Sequence, residues 1–67
     1  LKPDDLSLLE LYFSQDCSLS KTAEKLFLHK NTLQYRLNHI HHKCGLDPRT
    51  FRDAVVLYLA VQLDSEK

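Results

Sequence analysis

"LSKTAEKLFLHKNTLQYRLNHI", Leu19 to Ile40, is the stretch that decides how this chain folds. Its first half offers Ser20 as an N-cap, Lys21 to about Phe27 as a short helix, and Ala23, Leu26 and Phe27 as the apolar contacts. Its second half opens a longer helix from about Lys30 to Lys43, because Leu33, Leu37, Ile40 and Cys44 recur at spacings of four, three and four. Gly45 then supplies the left-handed residue on which helices end, and Cys44 reads as a small core residue in the last turn.

Outward from this centre the chain stays helical. A first helix is expected from about Asp4 to Gln15, with Pro3 and the carboxylates of Asp4 or Asp5 at its start and Leu6, Leu9 and Phe13 as its buried stripe, Tyr12 beside it. "QDCS" breaks that pattern, and Asp16 tolerates left-handed angles. A fourth helix follows "LDPRT" and runs to about Leu63. Thr50 with Asp53 suits a capping box there, and Asp47 with Pro48 offers an earlier start. Val55 to Val61, "VVLYLAV", is apolar on every side of a helix, so it either runs through the core or packs against a second subunit or an N-terminal part of a longer protein. The fold class is therefore all-α: a small four-helix domain containing a helix-turn-helix, in one unit spanning residues 1–67.

At 67 residues with one Gly, two Pro and 43% hydrophobic residues, no second domain fits. No stretch approaches the roughly 18 apolar residues of a membrane span, and the start lacks the basic head and cleavage site of a signal peptide. Cys17 and Cys44 form no CxxC pattern. The expectation is a soluble, reduced, cytoplasmic protein with no membrane partner. A start at Leu1 instead of Met suggests a domain excised from a parent whose other parts, including any that bind an effector ligand, lie N-terminal to it.

The zero net charge hides a split. Residues 1–19 set Lys2 against Asp4, Asp5, Glu10 and Asp16. Residues 20–44 set Lys21, Lys25, Lys30, Arg36 and Lys43 against Glu24 alone, and hold all four histidines. A basic middle between acidic ends is the footprint of a polyanion-binding segment. A short helix, a tight turn and a longer helix is also the layout in which the second helix enters the DNA major groove.

Winding the third helix at about 100° per residue turns Asn31, Tyr35, Asn38 and His42 away from the apolar stripe, with Thr32 and His39 on one flank and Gln34 on the other. Asn and Gln pair bidentately with adenine, Thr contacts bases and the thymine methyl, and Lys or Arg reaches guanine or phosphate. No Asp or Glu occurs between Lys30 and Lys43. A face built only for solvation usually mixes carboxylates with its cations. The expected partner is double-stranded DNA, with phosphate contacts from Lys21, Lys25, Lys30 and Lys43 and base contacts from Asn31, Thr32, Gln34 and Tyr35.

The segment Leu19 to Ile40 resembles the C-terminal helix-turn-helix domain of PucR/CdaR-type bacterial transcriptional regulators, and more distantly Fis-type DNA-binding domains. "TA" at Thr22 and Ala23 and "HKNTLQYRL" from His29 to Leu37 carry the likeness, with "LLELYF" before them and "LYLAVQL" after. The resemblance implies a regulator that binds duplex DNA in sequence-specific fashion through the helix at about 30–43. It puts His29 at that helix's start and turns Lys30, Asn31 and Thr32 to DNA. It leaves Tyr35 and Arg36 to contact the backbone or brace the fold. The resemblance and the reading of charge and helix face together give the candidate site set Lys21, Thr22, Lys25, His29, Lys30, Asn31, Thr32, Gln34, Tyr35, Arg36 and Asn38. The turn between helices two and three departs from the usual form, because Phe27 and Leu28 stand where a glycine is common.

Two residues keep two readings each. Arg36, at the edge of the buried stripe, reaches a phosphate or pairs with an acid of helix one. Tyr35 contacts a phosphate or packs on a neighbour. The histidines and Cys44 split across two faces, His39 with His42 and His41 with Cys44, so they do not close a metal tetrahedron. Protonation of that cluster predicts tighter, more salt-sensitive DNA binding at pH 6 than at pH 8. No catalytic motif is present, so neither an enzyme nor a cofactor is expected. One such module buries little surface, so a homodimer on a two-part site is expected in the full-length protein, with helix four as the contact. The alternative is a helical protein-interaction or dimerisation module without DNA binding, in which the acidic first helix or the apolar fourth docks a partner and the polar third, with Lys30 and Asn31, is only solvated.

Overall fold

A computed structural model describes residues 2–65 of the chain, and among them there are four helices and no strand. Helix α1 is Pro3–Ser14, α2 Leu19–Leu26, α3 Lys30–Cys44 and α4 Phe51–Ser65. Helices α1 and α4 pack on each other, α2 packs on α3, and α1 bridges the pairs by touching α2. The resulting body measures 30 × 22 × 21 Å.

One core joins all four helices: Leu8, Leu9 and Tyr12 from α1, Ala23 from α2, Leu33, Leu37 and Ile40 from α3, and Leu57 and Val61 from α4. Burying each large side chain is worth about 1.5–3 kcal/mol. The α3 stripe is buried as its spacing predicts, up to Ile40. Cys44 is exposed instead, because the chain leaves at Gly45 before another element covers the last turn; its thiol donates to the Leu46 carbonyl at 3.5 Å. In α1 the buried face is centred on Leu9 and Tyr12, and Leu6 and Phe13 lie half-buried at its margin. The face is wider than the sequence stripe because α1 meets both α2 and α4.

Three helices close on left-handed residues, and only one of these is glycine. Gly45 (φ 78) ends α3, with its N–H bonded to the His41 carbonyl at 2.8 Å. Asp16 (φ 56) follows α1, and the Asp16 and Cys17 amides return to the Phe13 and Tyr12 carbonyls, both at 3.0 Å, in the pairing of a Schellman motif. Cys17 is left-handed too (φ 61). Phe27 (φ 56) ends α2, with the Leu28 amide reaching the Ala23 carbonyl at 2.9 Å. Phe27 therefore does not join the core as its place in "KLFL" suggests. It stands 95% exposed, because the left-handed turn swings it off the buried face of α2.

The helix starts also differ in part from expectation. Ser18 caps α2 in place of Ser20, its hydroxyl accepting the Lys21 N–H at 3.2 Å. At α1 the Asp5 carboxylate accepts the Lys2 N–H at 3.3 Å. The Thr50–Asp53 box at α4 is replaced by two bonds to one residue. Thr50 donates its hydroxyl to the Asp47 carbonyl at 3.0 Å, and Asp53 accepts the Asp47 N–H at 3.0 Å. These bonds fold the loop over Pro48, which is buried.

Candidate nucleic-acid interface

Helix α3 lies across the core with Leu33, Leu37 and Ile40 fully inward. That fixes its rotation. Lys30, Asn31, Thr32, Tyr35, Asn38, His39 and His42 are all exposed, so the face expected to meet DNA is open to solvent. Tyr35 is 68% exposed and stands edge-on to His39, ring centroids 5.8 Å apart, so it neither joins the core nor blocks the neighbouring amides.

The two flanks of α3 also carry bonds to neighbouring elements. On one, Lys43 donates to Asp5 of α1 at 3.1 Å, and half-buried Arg36 lines a groove with Asp4, Ser7, Leu8 and Leu26. Burial alone raises the Asp5 carboxyl, but the Lys43 and Lys2 hydrogen bonds and the charges of Lys43 and Arg36 outweigh it and hold the group below its ordinary value. Lys43, expected on phosphate, pairs here with Asp5 of α1, and Arg36 shares its groove with Asp4 of α1 and the apolar Leu8 and Leu26. Both sit on the flank facing the acidic N-terminus of α1.

On the other flank, Gln34 accepts a hydrogen bond from Arg49 Nη1 at 2.9 Å through its carbonyl oxygen. Arg49 in turn grips Asp47, donating Nε and its backbone N–H to Oδ1 at 2.9 and 3.0 Å and Nη2 to Oδ2 at 3.3 Å. These Arg49 bonds lower the Asp47 carboxyl against the opposing effect of burial, and His41, whose Nδ1 lies 4.0 Å away, adds to the lowering. The Gln34 carbonyl oxygen is therefore shared with Arg49, while its amide N–H groups make no bond to Arg49. Arg49 was not singled out by sequence. Its signal is the Asp-Pro-Arg run, in which an Asp side chain bonds the backbone two residues on.

Helix α2 supplies Lys21 and Lys25, both exposed, as expected of phosphate contacts. Thr22 does not belong with them. It is fully buried, one turn after Leu19 and one before Leu26, and its hydroxyl finds no hydrogen-bond partner there, so its side chain offers nothing at the surface. His29 holds the position expected at the start of α3, but its Nδ1 accepts the Asn31 N–H at 3.1 Å and so serves as the N-cap. An open groove lined by Ser20, Ala23, Glu24, Leu28, His29, Lys30 and Asn31 separates α2 from the start of α3.

Among the described residues no group of His, Cys, Asp and Glu is arranged to hold a metal ion, and both cysteines are free. No helix of the described residues is long and apolar enough to cross a membrane.

Residues 6–63 match the family model of the PucR C-terminal helix-turn-helix domain. Similar curated proteins include the carbohydrate diacid regulator of Escherichia coli (strain K12), 44% identical over 59 residues that cover 88% of this chain and 15% of that protein. An uncharacterized protein of Haemophilus influenzae (strain ATCC 51907 / DSM 11121 / KW20 / Rd) is 48% identical over 56 residues, 84% of this chain and 15% of its own length. The proline-responsive transcriptional activator PutR of Bacillus subtilis (strain 168) is 39% identical over 62 residues, 92% of this chain and 15% of that protein. The chain thus spans about 15% of the length of these relatives.

Proposed function

The chain belongs to the PucR C-terminal helix-turn-helix domain family, a family of transcriptional regulators and not of enzymes, and on that premise we propose that it binds duplex DNA sequence-specifically with α3 in the major groove. The observation that carries this reading is the open, carboxylate-free face of α3. Asn31 and Thr32, in the first turn, meet base edges, and Tyr35 and Asn38 continue the contact along the helix. Lys21, Lys25 and Lys30 lie on phosphates, and the free N–H groups at the start of α3 add a partial positive charge there. Gln34 donates from the rim, and Arg36 braces α3 against α1.

Acting on DNA places the protein in the cytoplasm. The small share of each relative that this chain spans supports a role as the C-terminal DNA-binding module of a larger regulator. In such a regulator two copies sit on a two-part site as a homodimer. An effector, where there is one, acts through the part N-terminal to this chain.

Methylation interference tests the groove. Guanine N7 methylation within the site, which lies in the major groove, is expected to block binding, whereas adenine N3 methylation, in the minor groove, is expected to leave it intact. The reverse pattern rejects α3 as a major-groove reader.

A further inference from the structure

Helix α4 carries two apolar stripes. The inner one, Leu57 and Val61 with half-buried Ala54, closes the core. The outer one, Val55, Val56, Leu59 and Leu63, is exposed and recurs at intervals of three or four residues. That interval is the one by which one helix seats its side chains in the gaps of another. Beside it Phe13 of α1, Cys17 in the turn that follows α1, and Phe51 and Tyr58 of α4 line an open apolar groove of about 360 Å³, with Phe13 and Tyr58 edge-on at 5.9 Å.

We propose that this outer stripe is an interface with a second copy of the chain, the two α4 helices packed antiparallel about a twofold axis through Leu59. The inference rests on the paired-site reading above and gives it a geometry. Charge sets the direction. Exposed Arg52 stands at the N-terminal end of α4 and exposed Asp64 at the C-terminal end. An antiparallel pair brings Arg52 of each copy to the Asp64 end of the other and opposes the helix dipoles, whereas a parallel pair stacks like charges and like dipole ends. A twofold axis makes the stripe self-complementary, so that Val55 of one copy faces Leu63 of the other and Leu59 faces its own equivalent. A helix of 15 residues is roughly 22 Å long at about 1.5 Å per residue, too short alone to cover the roughly 800 Å² per partner of a stable interface. The pair therefore forms weakly in solution and is held firmly only when DNA binds both copies.

Cysteine cross-linking tests the direction and register without DNA. In the chain carrying Cys17→Ser and Cys44→Ser, Leu59→Cys is expected to form a disulfide-linked dimer under mild oxidation. Val55→Cys and Leu63→Cys are each expected to link at least tenfold more slowly alone, and rapidly when mixed. Self-linking of all three variants at similar rates overturns the antiparallel register. No linking by any of them, with a monomer by sedimentation at millimolar concentration, overturns the second copy as occupant and assigns the face to another part of the parent protein. All the substituted positions are exposed, and circular dichroism checks that each variant keeps its helices. Lys30→Ala with Asn31→Ala is expected to leave the cross-link unchanged, so failure of the DNA reading and failure of this interface are seen separately.

Discussion

Helices α3 and α4 each have 15 residues, and each buries one apolar stripe in the shared core. They differ in what they leave in water. α3 presents Asn31, Tyr35, Asn38 and His42 with no carboxylate, while α4 presents Val55, Val56, Leu59 and Leu63. A polar face without negative charge suits a polyanion and stays soluble without it. An apolar stripe is stabilised only when something covers it. The same core therefore supports two surfaces with two kinds of partner, and each can be damaged without touching the other.

The largest expected effect removes the difference altogether. Leu37→Ala empties the fully buried centre of α3 and is expected to cost about 2–5 kcal/mol, a large part of the stability of a domain this small. Both surfaces should fail together, and a melting curve no lower than that of the unaltered chain would contradict the assignment of Leu37 to the core. Asn31→Ala should instead damage only the α3 surface. It is expected to cost about 1–3 kcal/mol of discrimination at one base position with the helix content unchanged. Lys30→Ala should weaken all duplexes alike and reduce the salt slope by about one, so a selective loss for one sequence would reassign Lys30 to base reading.

Smaller effects sharpen the frame that holds α3. Phe27→Gly relieves a left-handed residue whose side chain makes little packing. It should stabilise the domain by about 1 kcal/mol, read as a rise of about 4–8 °C in melting temperature. A fall would mean that Phe27 contributes packing not visible in its exposure. Asp5 and Asp47 are both held below the ordinary carboxylate value, so as pH falls the unfolded chain binds protons first. Their contribution is complete above about pH 5 and is lost as the pH drops through the unfolded and then the folded value. Asp5→Asn with Asp47→Asn should flatten the decline in melting temperature between pH 5 and pH 2.5; an unchanged decline places the acid sensitivity elsewhere.

Much of the frame was legible in the residue spacing. Leu33, Leu37 and Ile40 set the rotation of α3, and from that rotation the open positions of Asn31, Tyr35, Asn38 and His42 follow. The ends were harder to see. Asp16 and Phe27 adopt the left-handed turns for which glycine is the usual signal, and Ser18 and Ser20 are equivalent caps until the turn before them is known. The roles of the cations were hardest. Lys30 and Lys43 look alike in sequence, yet one stands in the open and the other is tied to Asp5, because the acidic start of α1 passes one flank of α3 and not its face. Gln34 was drawn aside by Arg49, 15 residues on, a partner that periodicity within one helix does not reveal. Thr22 shows the same limit, since a residue carried over from a family motif can hold the fold together instead of meeting the ligand.

The claim that the open face of α3 reads DNA is tested most directly by fluorescence anisotropy. A labelled duplex from upstream of the parent gene is titrated at two salt concentrations, against a scrambled duplex, with the unaltered chain and with the Lys30→Ala, Asn31→Ala variant. The expected result is binding that weakens steeply with salt, prefers the upstream duplex, and is lost in a double variant that keeps its helices. Equal affinity of the two proteins for both duplexes at both salt concentrations would contradict it.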